Sequence, residues 1–212
     1  MADARILIVD DHPLFREALR NALGAAKSRL DISEAGSLDS LIARLAKDDA
    51  CDLVLLDLRM PGVQGLSGLI FLRSQYPNIP VVVVSASEEA GIVKKSLDLG
   101  ASGFIPKSSG TTTIIEAVET VLAGGIWTPP WAHRELPADP EVADIARRVA
   151  SLTAQQIRVL MMLKEGLLNK QIAHALNVSE ATVKAHVSAI LLKLGVASRT
   201  QAVIAASKLE GL

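Results

Sequence analysis

One cysteine, Cys51, stands in the whole chain, which excludes a disulfide framework and a cysteine-ligated structural zinc site and suits a reducing compartment. Aromatic residues make up only 3 %, so the cores are expected to be aliphatic, built from Leu, Ile, Val and Ala. No apolar run approaches the roughly 20 residues that cross a bilayer. Charges at Asp3, Arg5, Asp10 and Asp11 break up the stretch where a signal peptide needs apolar residues. These absences predict a soluble, cytoplasmic protein without a membrane partner. What is present is apolar material: half of the 212 residues, against 21 % charged, enough for real cores and too much for extensive disorder. The length suits two small domains better than one large one.

The net charge of −1 conceals a division. Residues 1–125 hold 12 Lys/Arg against 16 Asp/Glu, residues 126–150 hold 3 against 4, and residues 151–212 hold 7 against 3. The basic C-terminal part favours polyanions as partners. In the first part, short aliphatic runs alternate with amphipathic stretches. Ile6-Leu7-Ile8-Val9 leads into Asp10 and Asp11, Leu53-Val54-Leu55-Leu56 into Asp57, and Val81-Val82-Val83-Val84 into Ser85. Unbroken runs of this kind suit strands buried on both faces, as in a parallel sheet. Weaker segments at 31–36 and 101–105 bring the expected strands to five, with helices over 13–27, 38–47, 65–74, 88–99 and 111–123. The alternation predicts a doubly wound α/β domain over 1–125.

Residues 126–150 carry both tryptophans and four prolines (Pro129, Pro130, Pro137 and Pro140). They read as a stiff linker, with 141–150 opening a helix towards the next domain. Beyond Ser151 there is no strand-like run. A helix capped by Thr153 and reaching Glu165, helices over 169–176 and 199–209, and one over 180–194 capped by Ser179 and ended by Gly195 predict a smaller all-α domain of four helices over 151–212.

In a doubly wound sheet the carboxyl ends of the strands line the ligand crevice. Asp10, Asp11, Asp57 and Ser85 sit at such ends and Lys107 follows the fifth strand, so three carboxylates and an ammonium converge on one rim. Clustered carboxylates repel unless a cation compensates them, and the oxygen-preferring Mg²⁺ is the natural occupant. An aspartate beside Mg²⁺ can act as a nucleophile towards a phosphoryl group, while metal and lysine neutralise charge on the transferred oxygens. Asp10-Asp11, Leu56-Asp57-Leu58-Arg59-Met60-Pro61-Gly62, Ser85-Ala86 and Gly103-Phe104-Ile105-Pro106-Lys107, in this order, resemble the receiver domain of bacterial two-component response regulators. The resemblance implies a flavodoxin-like five-stranded receiver in which Asp57 accepts phosphate from a sensor histidine kinase. It implies a Mg²⁺ site of Asp11, Asp57 and the Arg59 backbone carbonyl, with Asp10 acting through water. It also implies that Ser85, Phe104 and Lys107 sense the phosphoryl group, the hydroxyl moving towards it and the aromatic ring following inward.

In the second domain, 169–176, the Asn177-Val178 turn and 179–194 have helix-turn-helix proportions. Ala173 is small where two backbones cross, and Asn177 stands where the turn needs positive φ. Ile172, Leu176, Val183 and Val187 form the apolar stripe. Leu152-Thr153, Gly166 through Ala173, Val178 through Val187 and Lys193-Leu194-Gly195-Val196 resemble the LuxR-type DNA-binding domain. Together the two halves are similar to NarL/LuxR-family response regulators. This implies a phosphorylation-dependent transcriptional regulator, not an enzyme, that binds paired half-sites of double-stranded DNA as a homodimer through its last helix. On this reading the helix 179–194 enters the major groove with Lys184, Ala185 and Ser188 at base edges, and Lys170, Thr182, His186 and Lys193 at phosphates. Gln155-Gln156 replace the family's usual Arg-Glu and are expected to loosen a charge network there. The competing readings are a LuxR-type regulator acting without phosphorylation and a Mg²⁺-dependent aspartyl phosphohydrolase. The hydrolase needs an acid two residues after its nucleophile, where this chain has Arg59.

Overall fold

The computed structural model describes residues 4–25, 30–47, 50–60, 63–133 and 140–210. Asp3, Lys27, Pro61, Gly62 and Pro137, named above, lie outside these. The chain divides into two compact units, Met1–Leu136 and Pro137–Leu212.

In the first unit the elements run β1 (Ala4–Val9), α1 (Pro13–Gly24), β2 (Leu30–Ala35), α2 (Leu38–Lys47), β3 (Leu53–Asp57), β4 (Arg59–Met60), β5 (Val63–Gln64), α3 (Ser67–Gln75), β6 (Val81–Ser85), α4 (Ala90–Asp98), β7 (Gly103–Pro106) and α5 (Thr111–Leu122), followed by a 3-10 turn, Pro130–His133. Five strands form one parallel sheet in the order β2-β1-β3-β6-β7, while β4 and β5 pair as a two-residue antiparallel ribbon that the sequence pattern does not announce. The central strands β3 and β6 are buried throughout, as their unbroken aliphatic runs demand. β2 lies at the sheet edge and is mostly half-buried, which explains its weak signal. Ile6, Ile8, Leu53, Leu55, Val82, Val84 and Ile105 face α1 and α5 in one aliphatic core. Burying each such side chain contributes about 1.5–3 kcal/mol.

The second unit consists of α6 (Pro140–Ala150), α7 (Ala154–Lys164), α8 (Asn169–Leu176), α9 (Glu180–Leu194) and α10 (Arg199–Glu210). α9 is its centre, packing against α6, α7, α8 and α10. Thr153 and Gln156 form a capping box at α7, and the Ser179 hydroxyl accepts from the Thr182 amide at α9. Asn177, at φ 52°, takes the left-handed conformation of the turn, and Gly195, at φ 67°, ends α9. No single helix among the described residues is long and apolar enough to cross a membrane.

Within 126–150 the structure replaces the expected stiff linker at its start with a strand-edge pairing, and the helix expected over 141–150 is α6. Trp127 pairs with β7 at Gly103, because a strand edge leaves hydrogen-bonding groups to satisfy. Pro140 begins α6, where the missing amide costs no helical bond, and Val149 of that helix is buried.

Candidate functional site

The parallel register brings the sequence-predicted residues together. β1, β3 and β6 end in one row with Asp10, Asp57 and Ser85, and the Lys107 amide donates to the Ser85 carbonyl at 2.7 Å. Asp10 is 1 % exposed and Asp57 3 %. The Lys107 ammonium reaches both, 2.7 Å from Asp10 Oδ2 and 2.9 Å from Asp57 Oδ2. Burial holds the Asp57 carboxyl above its ordinary range; the Lys107 hydrogen bond opposes this and the neighbouring Asp10 charge adds to it. Burial acts to lower the Lys107 pKa, but its bonds to Asp10 and Asp57 outweigh that and hold it above the ordinary value. The Arg59 amide nearby acts to lower the Asp57 pKa slightly, and the Arg59 side chain is exposed.

Asp10, Asp11, His12 and Asp57 each offer one ligand atom, all within 4.8 Å of one another. Asp10 Oδ2 and Asp11 Oδ1 are buried oxygens, each 2.7 Å from one side-chain nitrogen, Lys107 Nζ and His12 Nδ1. Three carboxylates gathered this closely, two of their oxygens buried, fit a hard divalent cation.

Three neighbours were not singled out from sequence. His12 also contacts Asp10 Oδ1 at 3.1 Å, Phe15 lies under the Lys107 ammonium at 4.7 Å, and Arg16 donates to the Asp10 carbonyl at 2.6 Å. All three follow from α1 starting directly after the acidic pair: its first turn faces the rim, and the spacing of 12, 15 and 16 is the one signal for this. On the sensing side, the Ser85 hydroxyl accepts from the Ser87 amide at 3.1 Å, and Phe104 is completely buried.

In the second unit, Lys170 on α8 and Thr182, Lys184, Ala185 and Ser188 on α9 are exposed, and His186 is half-buried. Thr182 shares a 2.8 Å hydroxyl bond with Ser179, and Lys184 lies 3.2 Å from Glu180 in an exposed pair of small energetic weight. Lys193 is placed differently. Its ammonium donates to the Ser151 carbonyl at 2.8 Å and to Gln156 Oε1 at 2.9 Å. Gln156 thus closes a capping box and anchors the end of α9 at once, so the Gln at this position leaves that corner tied and not loosened. These bonds take two of the three donors of the exposed Lys193 ammonium expected at a phosphate.

Residues 6–119 match the family described as "Response regulator receiver domain", and residues 150–206 match "Bacterial regulatory proteins, luxR family". The "Glycerol metabolism activator" of Pseudomonas putida is 43 % identical over 212 residues, covering 97 % of this chain and 96 % of its own length. The "Nitrate/nitrite response regulator protein NarL" of Escherichia coli (strain K12) is 33 % identical over 203 residues, covering 95 % and 94 %. Among solved structures, RcsB from Salmonella enterica serovar Typhimurium, bound to promoter P1flhDC with the phosphomimetic BeF3−, superposes with a TM-score of 0.58 at 25 % identity, covering 97 % of this chain and 98 % of that one.

Proposed function

This chain belongs to the response regulators that join a receiver domain to a LuxR-type DNA-binding domain, the plan of a two-component transcriptional regulator, and from that premise we propose that Asp57 is its phosphoacceptor and that phosphorylation controls DNA binding. The observation that carries this is the convergence of Asp10, Asp11, Asp57, Ser85 and Lys107 at the strand ends of a chain that also holds a helix-turn-helix.

A sensor histidine kinase is the donor. An Asp57 carboxylate oxygen attacks the phosphorus of its phosphohistidine; the O–P bond forms as the P–N bond breaks, and the leaving imidazole takes up a proton. Lys107 neutralises charge on the transferred oxygens, and the Ser85 hydroxyl turns from the Ser87 amide to donate to one of them. Asp11, Asp57 and the Arg59 carbonyl would hold Mg²⁺, with Asp10 beside them; the ion supplies charge neutralisation for the phosphoryl oxygens.

The output is a homodimer on paired half-sites of double-stranded DNA in the cytoplasm, with α10 pairing the subunits. The exposed half of α9 enters the major groove with Lys184, Ala185 and Ser188 at base edges. Lys170, Thr182 and His186 meet phosphates, contacts that fix position without reading sequence.

Acetyl phosphate with Mg²⁺ is expected to add one phosphoryl mass, located on Asp57 by peptide mapping. Asp57→Asn is expected to lose both the adduct and any effect of acetyl phosphate on DNA affinity. An adduct on another residue, or an undiminished response in Asp57→Asn, would refute the assignment.

A further inference from the structure

After α5 the chain reverses at Gly124, at φ +86°, and the Gly125 amide donates to the Thr120 carbonyl at 2.9 Å. It then runs back along β7. The Trp127 amide donates to the Ser102 carbonyl at 3.2 Å, and the Phe104 amide donates to the Trp127 carbonyl at 3.1 Å. Both bonds close the outer edge of the last strand of the sheet. The half-buried Trp127 ring packs on the aliphatic core below, Pro129 is buried, and the turn Pro130–His133 packs on α4. The approach to β7 is close: a Cβ on Gly103 would lie 2.9 Å from the Trp127 carbonyl oxygen. Residues 126–133 therefore form a strap fastened at both ends of its described length.

The residue whose amide this strap holds is Phe104, which the resemblance to receiver domains implies as the aromatic of the phosphoryl switch. Ile105 belongs to the core facing α1 and α5. Side chains alternate along a strand, so Phe104 points to the opposite face, where α4 packs. Its ring is completely buried there. To leave, it must displace the β7 backbone or α4, and the strap is attached to both.

We propose that Trp127 is a positioning residue for the switch: its main-chain bond to Phe104 and its packing on the core hold the aromatic ring inward, so that the fastened strap and the phosphorylated state of Asp57 favour one another. This rests on Asp57 being the phosphoacceptor. Linkage makes the effect reciprocal, because whatever factor the phosphoryl group adds to strap closure, the strap adds to affinity for the phosphoryl group. One net hydrogen bond sets the scale at about three- to tenfold.

The test uses the full chain with beryllium fluoride and Mg²⁺ as the phosphoryl mimic, its affinity read by fluorine NMR and the Phe104 and Trp127 amides followed by hydrogen exchange. The mimic is expected to slow both amides several-fold. Trp127→Ala is expected to weaken mimic binding about three- to tenfold, Trp127→Phe to restore it to within about twofold, and Gly103→Ala, which pushes the Trp127 carbonyl away, to resemble Trp127→Ala. Gly103 lies inside the sheet, so the two Trp127 variants keep the test decisive if Gly103→Ala does not fold. Normal mimic binding by Trp127→Ala, or amide exchange unaffected by the mimic, overturns the strap and leaves the Asp57 assignment standing. Failure of the unmodified chain both to bind the mimic and to take a phosphoryl group on Asp57 overturns the two together.

Discussion

A buried or half-buried carboxylate needs a compensating charge, and the first unit supplies one in two ways. At the site Asp10 and Asp57 share the Lys107 ammonium; away from it, Glu34 on β2 is gripped by Arg16 at 2.9 Å and Arg20 at 2.6 Å. These bonds, Arg16's foremost, hold the Glu34 carboxyl below its ordinary value of 4.5. Because the folded pKa is depressed, the stabilisation is complete at pH values above 4.5 and is lost as pH falls through the lower folded value. Glu34→Gln is therefore expected to cost about 1 kcal/mol at neutral pH, the scale of a partly exposed ion pair, and nothing in strong acid. Thermal melts across that range check it, and a difference that survived in acid would assign the effect to packing. The site's acids were readable as residues ending aliphatic runs. Phe15 and Arg16 were not, because whether a helix's first turn faces a pocket depends on the loop before it. Arg16 joins the two systems, holding Glu34 with Nε and the Asp10 carbonyl with Nη1.

Helix ends were the most legible elements, since a cap is a local hydrogen bond and a left-handed terminus a local steric demand. α9 shows both, with Ser179 at its start and Gly195 at its end. Gly195 carries a second requirement that local rules do not contain: a Cβ there would lie 2.3 Å from Arg148 Nη1, which donates to the Leu194 carbonyl at 2.9 Å. Ser179→Ala is expected to destabilise the second unit by about 1 kcal/mol. Gly195→Ala combines a positive-φ cost of about 1 kcal/mol with displacement of Arg148, and is expected to exceed it. Urea titrations followed by helical circular dichroism rank the two, and a milder Gly195→Ala would show that the Arg148 contact carries no weight. Prolines misled around Trp127 because they report what the local chain cannot do, whereas the open edge of β7 belongs to the fold.

Across the whole molecule, charge is unequally divided, with the basic excess in residues 151–212. DNA affinity is expected to fall steeply as salt rises, through release of counterions from the phosphates. Lys170→Ala should lower the slope of log affinity against log salt by about one. Lys193→Ala should change that slope less than Lys170→Ala and lower the melting of the second unit, because two of its ammonium donors bond Ser151 and Gln156. Equal slope changes for both variants would place Lys193 at the DNA after all. The sequence by itself determined the two architectures, the order of strands and helices, and the acids at the strand ends, because burial on two faces, amphipathic period and capping are written in neighbouring residues. Tertiary structure alone decided that Lys107 bridges Asp10 and Asp57, that Lys193 bonds Ser151 and Gln156, and that Trp127 fastens to Phe104. Each joins residues far apart in the chain, and such a partnership exists only once packing has fixed the distance between them.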